Sequence, residues 1–157
     1  DTMLAITVIA IVFIGVGALF LHAKSNSDVQ NTIGDIQSVS SAATQLLNQD
    51  YSSTITQQNV IDSGLLSDDI VSGATIIGPI GEITLVTSSS THHQSFGMTV
   101  KDLSAAQATT ICQQLFASYH VGYASGDYVD AASDCIDSSL DNSTTVYLQY
   151  PSSIPAT

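Results

Sequence analysis

The chain has 157 residues, 44% of them hydrophobic and only 10% charged, and its two basic residues stand against 14 acidic ones for a formal charge of −12. The basic residues are Lys24 and Lys101, and arginine is absent. That balance excludes direct nucleic-acid binding, which needs several phosphates neutralised by Lys or Arg, and it disfavours an anionic lipid surface. It fits a polar, weakly charged surface that stays dispersed in extracellular or periplasmic fluid.

The apolar excess is concentrated at the start. Residues 3–21 read MLAITVIAIVFIGVGALFL, a run that carries Met3, Leu4, Ile6, Val8, Ile9, Ile11, Val12, Phe13 and Ile14 and is interrupted only by Thr7, Gly15 and Gly17. As a helix it would be about 28 Å long, close to the ~30 Å hydrocarbon core of a bilayer. A buried helix of a soluble domain would need polar positions on one face. A secretory signal peptide would want a basic start and a small-residue cleavage site. Here the run starts with Asp1 and passes straight into more helix, so a transmembrane anchor is expected. Asp1 itself has two readings: a polar cap meeting the positive end of the helix dipole, or a specific partner for a neighbouring chain's terminal amine.

Beyond Lys24 the pattern changes. Val29, Ile33, Ile36, Val39, Ala43, Leu46 and Leu47 recur at spacings of three and four and make one apolar stripe, with Asp28, Asn31, Asp35, Gln37 and Gln45 on other faces. No proline occurs before Pro79. The expectation is one helix of about 45 residues, apolar all round in its first half and amphipathic in its second.

Residues 49–73 are polar and turn-rich, and predict a loop with a short helical turn around the apolar points Val60–Ile61, Leu65–Leu66 and Ile70–Val71. Strands are expected over 74–77 and 82–87, on either side of the turn Gly78–Pro79–Ile80–Gly81. A third strand over 95–101 places Phe96, Met98 and Val100 on one face, after a hairpin tip at 88–93. Ser104 and Gln107 form a capping box for a helix carrying Ile111, Cys112, Leu115, Phe116 and Tyr119. A Gly-, Tyr- and Asp-rich loop is expected to reach Cys135 at the end of a short helix over 128–134. The strand over 144–150 then closes an α+β domain.

Cys112 and Cys135 are an even pair in a chain that reads as exported, so a disulfide is expected; the other reading is two buried thiols. No Cys-x-x-Cys supports redox or zinc chemistry. His92–His93 is the one histidine pair, and it lacks a carboxylate or cysteine at ligand spacing. His120 follows a helix end, where a cation meets the last carbonyls, and His22 marks the membrane interface. No Gly-x-Ser-x-Gly or recognisable carboxylate pair is present, and neither catalysis, a cofactor nor a metal is expected. Asn142–Ser143–Thr144 fits a glycosylation sequon.

The order of these parts resembles a type IV pilin, and within that family the type IVb group, including bundle-forming pilins and the pilins of conjugative thin pili. The resemblance runs through SNSDVQNTIGDI at 25–36, GPIGEITLV at 78–86, SFGMTVKDLSAAQATTIC at 95–112, and AASDC followed by a polar loop and TTVYLQY. It implies a structural subunit rather than an enzyme. Residues 1–24 would be the transmembrane and filament-core half of the helix, and residues 25–157 the globular head. A prepilin peptidase would remove a leader, and the pilus assembly machinery would draw the subunit from the inner membrane into an extracellular homopolymer. The family carries a glutamate a few residues into the mature chain that pairs with a neighbouring terminal amine. Asp1 falls at that place, which implies that a few mature residues precede it. The chain departs from many pilins in lacking a helix-breaking proline in the later span, leaving Gly15 and Gly17 as the points where the helix could loosen. The nearest rivals are a minor pilin, a secretion-system pseudopilin and a signal-anchored periplasmic binding domain.

Overall fold

The computed structural model describes residues 2–49, 54–87, 95–124, 127–136, 140 and 143–150, and for residues 2–23, 87, 124 and 127 the backbone alone. The fold is α+β: a long N-terminal helix against an antiparallel sheet, with short helices at its margins. The helix α1 is continuous over Thr2–Gln49. The expected stripe is its buried face, where Val29, Ile33, Ile36, Val39, Ala43 and Leu47 are all buried and Leu46 is half-buried. Thr32 and Ser40 join that face.

Among the described residues seven strands follow: β1 (Val71–Ser72), β2 (Thr75–Ile77), β3 (Glu82–Thr87), β4 (Phe96–Leu103), β5 (His120–Ala124), β6 (Asp127–Tyr128) and β7 (Thr144–Tyr150). Their order in the sheet is β1-β2-β3-β4-β7-β5-β6. Alternation along each strand sends one set of side chains inward, and the register aligns those sets across strands. Ile76, Ile83, Val100 and Val146 make one cross-strand row, and Leu85, Met98, Leu148 and Val121 make the next. All eight are buried with the α1 stripe and with Ala108, Ile111 and Leu115 of α3 (Ala105–Leu115). The expected capping box opens α3: the Gln107 amide N–H donates to Ser104 Oγ, and the Ser104 amide donates to Gln107 Oε1 at 2.9 Å.

The polar stretch after α1 is more ordered than its composition suggests. It contains α2 (Gln57–Asp62), started by a second capping box between Thr56 and Asn59. Gln57 does something local pattern does not announce. Continuing the β2–β3 register past Ile76↔Ile83 would set Ala74 opposite Leu85. There the Gln57 amide stands between the two strands, donating to the Ala74 carbonyl at 2.7 Å and accepting from the Leu85 amide at 3.0 Å. One side chain thus replaces a ladder bond where the strands diverge.

Three expectations need correction. Residues 120–124 and 127–128, expected as loop, are strands β5 and β6. Val121 is the only β-branched residue in HVGYA, so local propensity is weak; pairing with β7 through His120↔Gln149, Val121↔Leu148 and Gly122↔Tyr147 decides the conformation. The short helix expected over 128–134 is a 3₁₀ turn, η1, over Ala132–Cys135. β4 also runs past Lys101 to Leu103, through a register shift against β7 and a left-handed Asp102 at φ 61°. The backbone is tight there: a Cβ on Gly81 would lie 2.2 Å from the Lys101 carbonyl oxygen, so the turn at 78–81 requires glycine at that position.

Candidate functional site

The two cysteines meet. Cys112 of α3 and Cys135 of η1 are disulfide-bonded with Cα atoms 5.6 Å apart, both fully buried. The Tyr123 hydroxyl of β5 donates to the Cys135 carbonyl and fixes η1 over the sheet. Nearby, Tyr119 is buried: it hydrogen-bonds Ser40 of α1, and its ring meets that of Tyr150 at a tilt of 56° with centroids 5.8 Å apart. Burial pushes the Tyr119 phenol above its usual range, with Tyr150 adding to the rise and the Ser40 bond opposing it.

His120 is not placed as expected. It opens β5 rather than capping a helix; α3 ends at Leu115, and the His120 ring lies 5.9 Å from that of Tyr128. Its Nε2 is buried without a partner among the described residues, at the back of a small cleft of about 330 Å³ that also contains Tyr119 and Asp130. Among the described residues no group of three or more His, Cys, Asp or Glu side chains could hold a metal ion.

The larger concavity lies on the flank of α1. A cleft of about 650 Å³ opens between Asn31, Asp35 and Ser38 on the helix and Asp69, Ile77 and Pro79 on the opposite wall. A second cleft of about 360 Å³ shares Gly34 and Ser38 with it and continues along α1 to Gln45, under the exposed Leu65. The two carboxylates reach the main cleft from segments far apart in the chain. Desolvation raises the Asp35 carboxyl above the ordinary aspartate value, and the charge of Asp69 raises it further. Asp69 accepts a hydrogen bond from the Ser67 hydroxyl, whereas Asp35 has neither hydrogen bond nor ion pair with any described residue. Sequence reading left Asp35 as one polar residue of an outer helix face. Its helical position was legible, but nothing local signals that Asp69 folds back to meet it.

The remaining sequence-singled residues are not brought into this site. Asp1 lies outside the described residues, as do His92 and His93 and Asn142 of the sequon. The side chains of Met3, Leu4, Ile6, Val8, Ile9, Ile11, Val12, Phe13 and Ile14, the two glycines Gly15 and Gly17, and His22 fall in the part of α1 described by its backbone alone. Among the residues whose side chains are described no helix is long and apolar enough to cross a membrane; the run over 3–21 belongs to the part of α1 described by its backbone alone. No protein-family model matches this chain, and no curated protein matches it.

Proposed function

We propose that this chain is the repeating subunit of an extracellular type IV pilus, polymerised through the apolar half of its N-terminal helix. The observation that carries the reading is one continuous helix of 48 residues whose sequence changes character along its length. In its second half the head takes one side only, burying Val29, Ile33, Ile36 and Val39 and leaving Gln30, Asn31, Gln37 and Ser41 to solvent. The uncharged sequence of residues 3–21 has no polar face to offer water. Lipid satisfies such a surface before assembly, and identical helices satisfy it afterwards. The disulfide supports export, because such bonds persist in oxidising compartments.

On this reading the chain performs no chemistry. A prepilin peptidase exposes the mature end, the assembly machinery extracts the subunit from the bacterial inner membrane, and heads tile the outside of a helical homopolymer. Removing residues 1–24 is the test. The truncated head is expected to sediment as a soluble monomer that keeps its disulfide, while the full chain forms filaments visible by electron microscopy. Long filaments from the truncated head would show that another surface polymerises the protein.

A further inference from the structure

We infer that the outer face of the sheet, turned away from α1, is the surface through which filaments of this chain touch one another side by side. The inference rests on the filament reading above and adds a contact between filaments to it. Register places Thr84, Thr99 and Tyr147 in one cross-strand row of that face, and Val86, Gln149 and His120 in the next. Val86 is 46% exposed, and Tyr147, Gln149 and His120 are half-buried. Charge singles this face out. Of the 14 acidic residues, those whose side chains are described lie on α1, around α2, beside η1 and at the end of the sheet marked by Glu82 and Asp102. The two rows hold no carboxylate and no lysine. Copies carrying −12 each repel, and they approach most easily where that charge is missing. Tyrosine with a depletion of Asp, Glu and Lys is also the composition of an interface centre.

Position and size decide what kind of contact it makes. The inner face of the sheet is closed over α1, so helices gathered on a filament axis turn the outer face away from that axis. Four strands and two rows form a platform about 14 Å on a side, roughly 200 Å². A stable pair of proteins needs about 800 Å² on each partner. Two free heads are therefore not held together by this face, in keeping with a monomeric head. Filaments present the same face many times, and repetition turns a weak contact into a lasting one. That repetition, with an uncharged surface able to meet its own copy, selects a second filament of this chain as the occupant. Salt screens the carboxylates outside the face, so lateral contact should strengthen as ionic strength rises.

The test uses filaments of the full chain, sheared from cells and viewed by electron microscopy at low and high salt. Wild-type filaments are expected to lie side by side and to pellet at low speed, more completely in high salt. Val86→Asp with Gln149→Glu places two carboxylates on the platform; filament number should stay normal while the pelleted fraction falls about tenfold. Leu65→Asp, at an equally exposed apolar residue beside α2, should pellet like wild type. The contact is overturned by wild-type filaments that stay single at every salt concentration, or by a double variant that pellets like wild type. Equal dispersal by Leu65→Asp would trace the effect to net charge and remove the face from the account. Single filaments retained on a neutral polysaccharide column through Val86 and Gln149 would assign the face to an external surface instead. A chain that forms no filaments would remove the filament reading as well, whereas filaments that never associate would remove the lateral contact alone.

Discussion

On one flank of the sheet β1, β2 and β3 lean on α2 through the amide of Gln57. On the other, β5 and β6 are tied to α3 through η1 and a covalent bond. Among the described residues both flanks end in strands of two residues, Val71–Ser72 and Asp127–Tyr128, so neither described edge offers a long unpaired ladder to another chain. The difference lies in how each flank is held against the entropy of its loops. The first has the capping box of α2 at Thr56 and Asn59 and a side-chain relay through Gln57, every part of it reversible. The second has little local propensity, with Gly122 inside β5, and depends on a cross-link to limit the freedom of the unfolded chain. A flank with weak local structure needs the stronger constraint.

Breaking the disulfide should therefore produce the largest effect and confine it to one side. Replacing Cys112 and Cys135 together by Ala, across a separation of 23 residues, is expected to cost about 3 kcal/mol in the chain-entropy treatment. In urea the midpoint should fall, and amide exchange should accelerate in β5, β6 and η1 before it does in β2 and β3. Uniform acceleration across the sheet would mean that the flanks are not held independently.

Gln57→Ala is the matching change on the other side and should be milder. It leaves the Leu85 amide and the Ala74 carbonyl without their bridge at a half-buried edge, a loss of roughly 1–2 kcal/mol. The Leu85 amide should exchange faster while Val121 stays protected. If Gln57→Ala melts like wild type, the relay is replaced by water and contributes only shape.

The pH response sharpens the comparison further, because Tyr119 sits on the disulfide flank. Its pKa is raised in the folded state by burial, above the unfolded value near 10. Its contribution is then complete below about pH 10 and is lost as the pH rises through the folded value. Head stability should fall above pH 10, and Tyr119→Phe should flatten that fall while losing the Ser40 bond, at about 1 kcal/mol. An alkaline profile identical in wild type and Tyr119→Phe would assign the fall to other groups.

Much of the fold was legible because its signals are local. The spacing from Val29 to Leu47 gave the buried face of α1, and alternation gave the inward row of β4. Ser104 with Gln107 marked the start of α3. The misses share one cause. β5 is a strand because β7 is beside it, and η1 is a tight turn because Cys135 must reach Cys112. The cleft is the same case at longer range. Asp35 could be placed off the apolar stripe, but its meeting with Asp69 depends on how the segment after α2 folds back onto the helix. Tertiary neighbours fix these features, and no window of sequence contains them.

The most direct measurement is a helical reconstruction of filaments formed by the full chain. The account predicts α1 helices bundled along the axis, with residues 3–21 of each copy buried against others and no lipid between them. The heads would stand outside, with the sheet row Leu85–Met98–Leu148 still closed over α1. Filaments whose axis is built from head surfaces, with residues 3–21 outside the bundle, would contradict it, and so would a full chain that stays dispersed as monomers in the membrane.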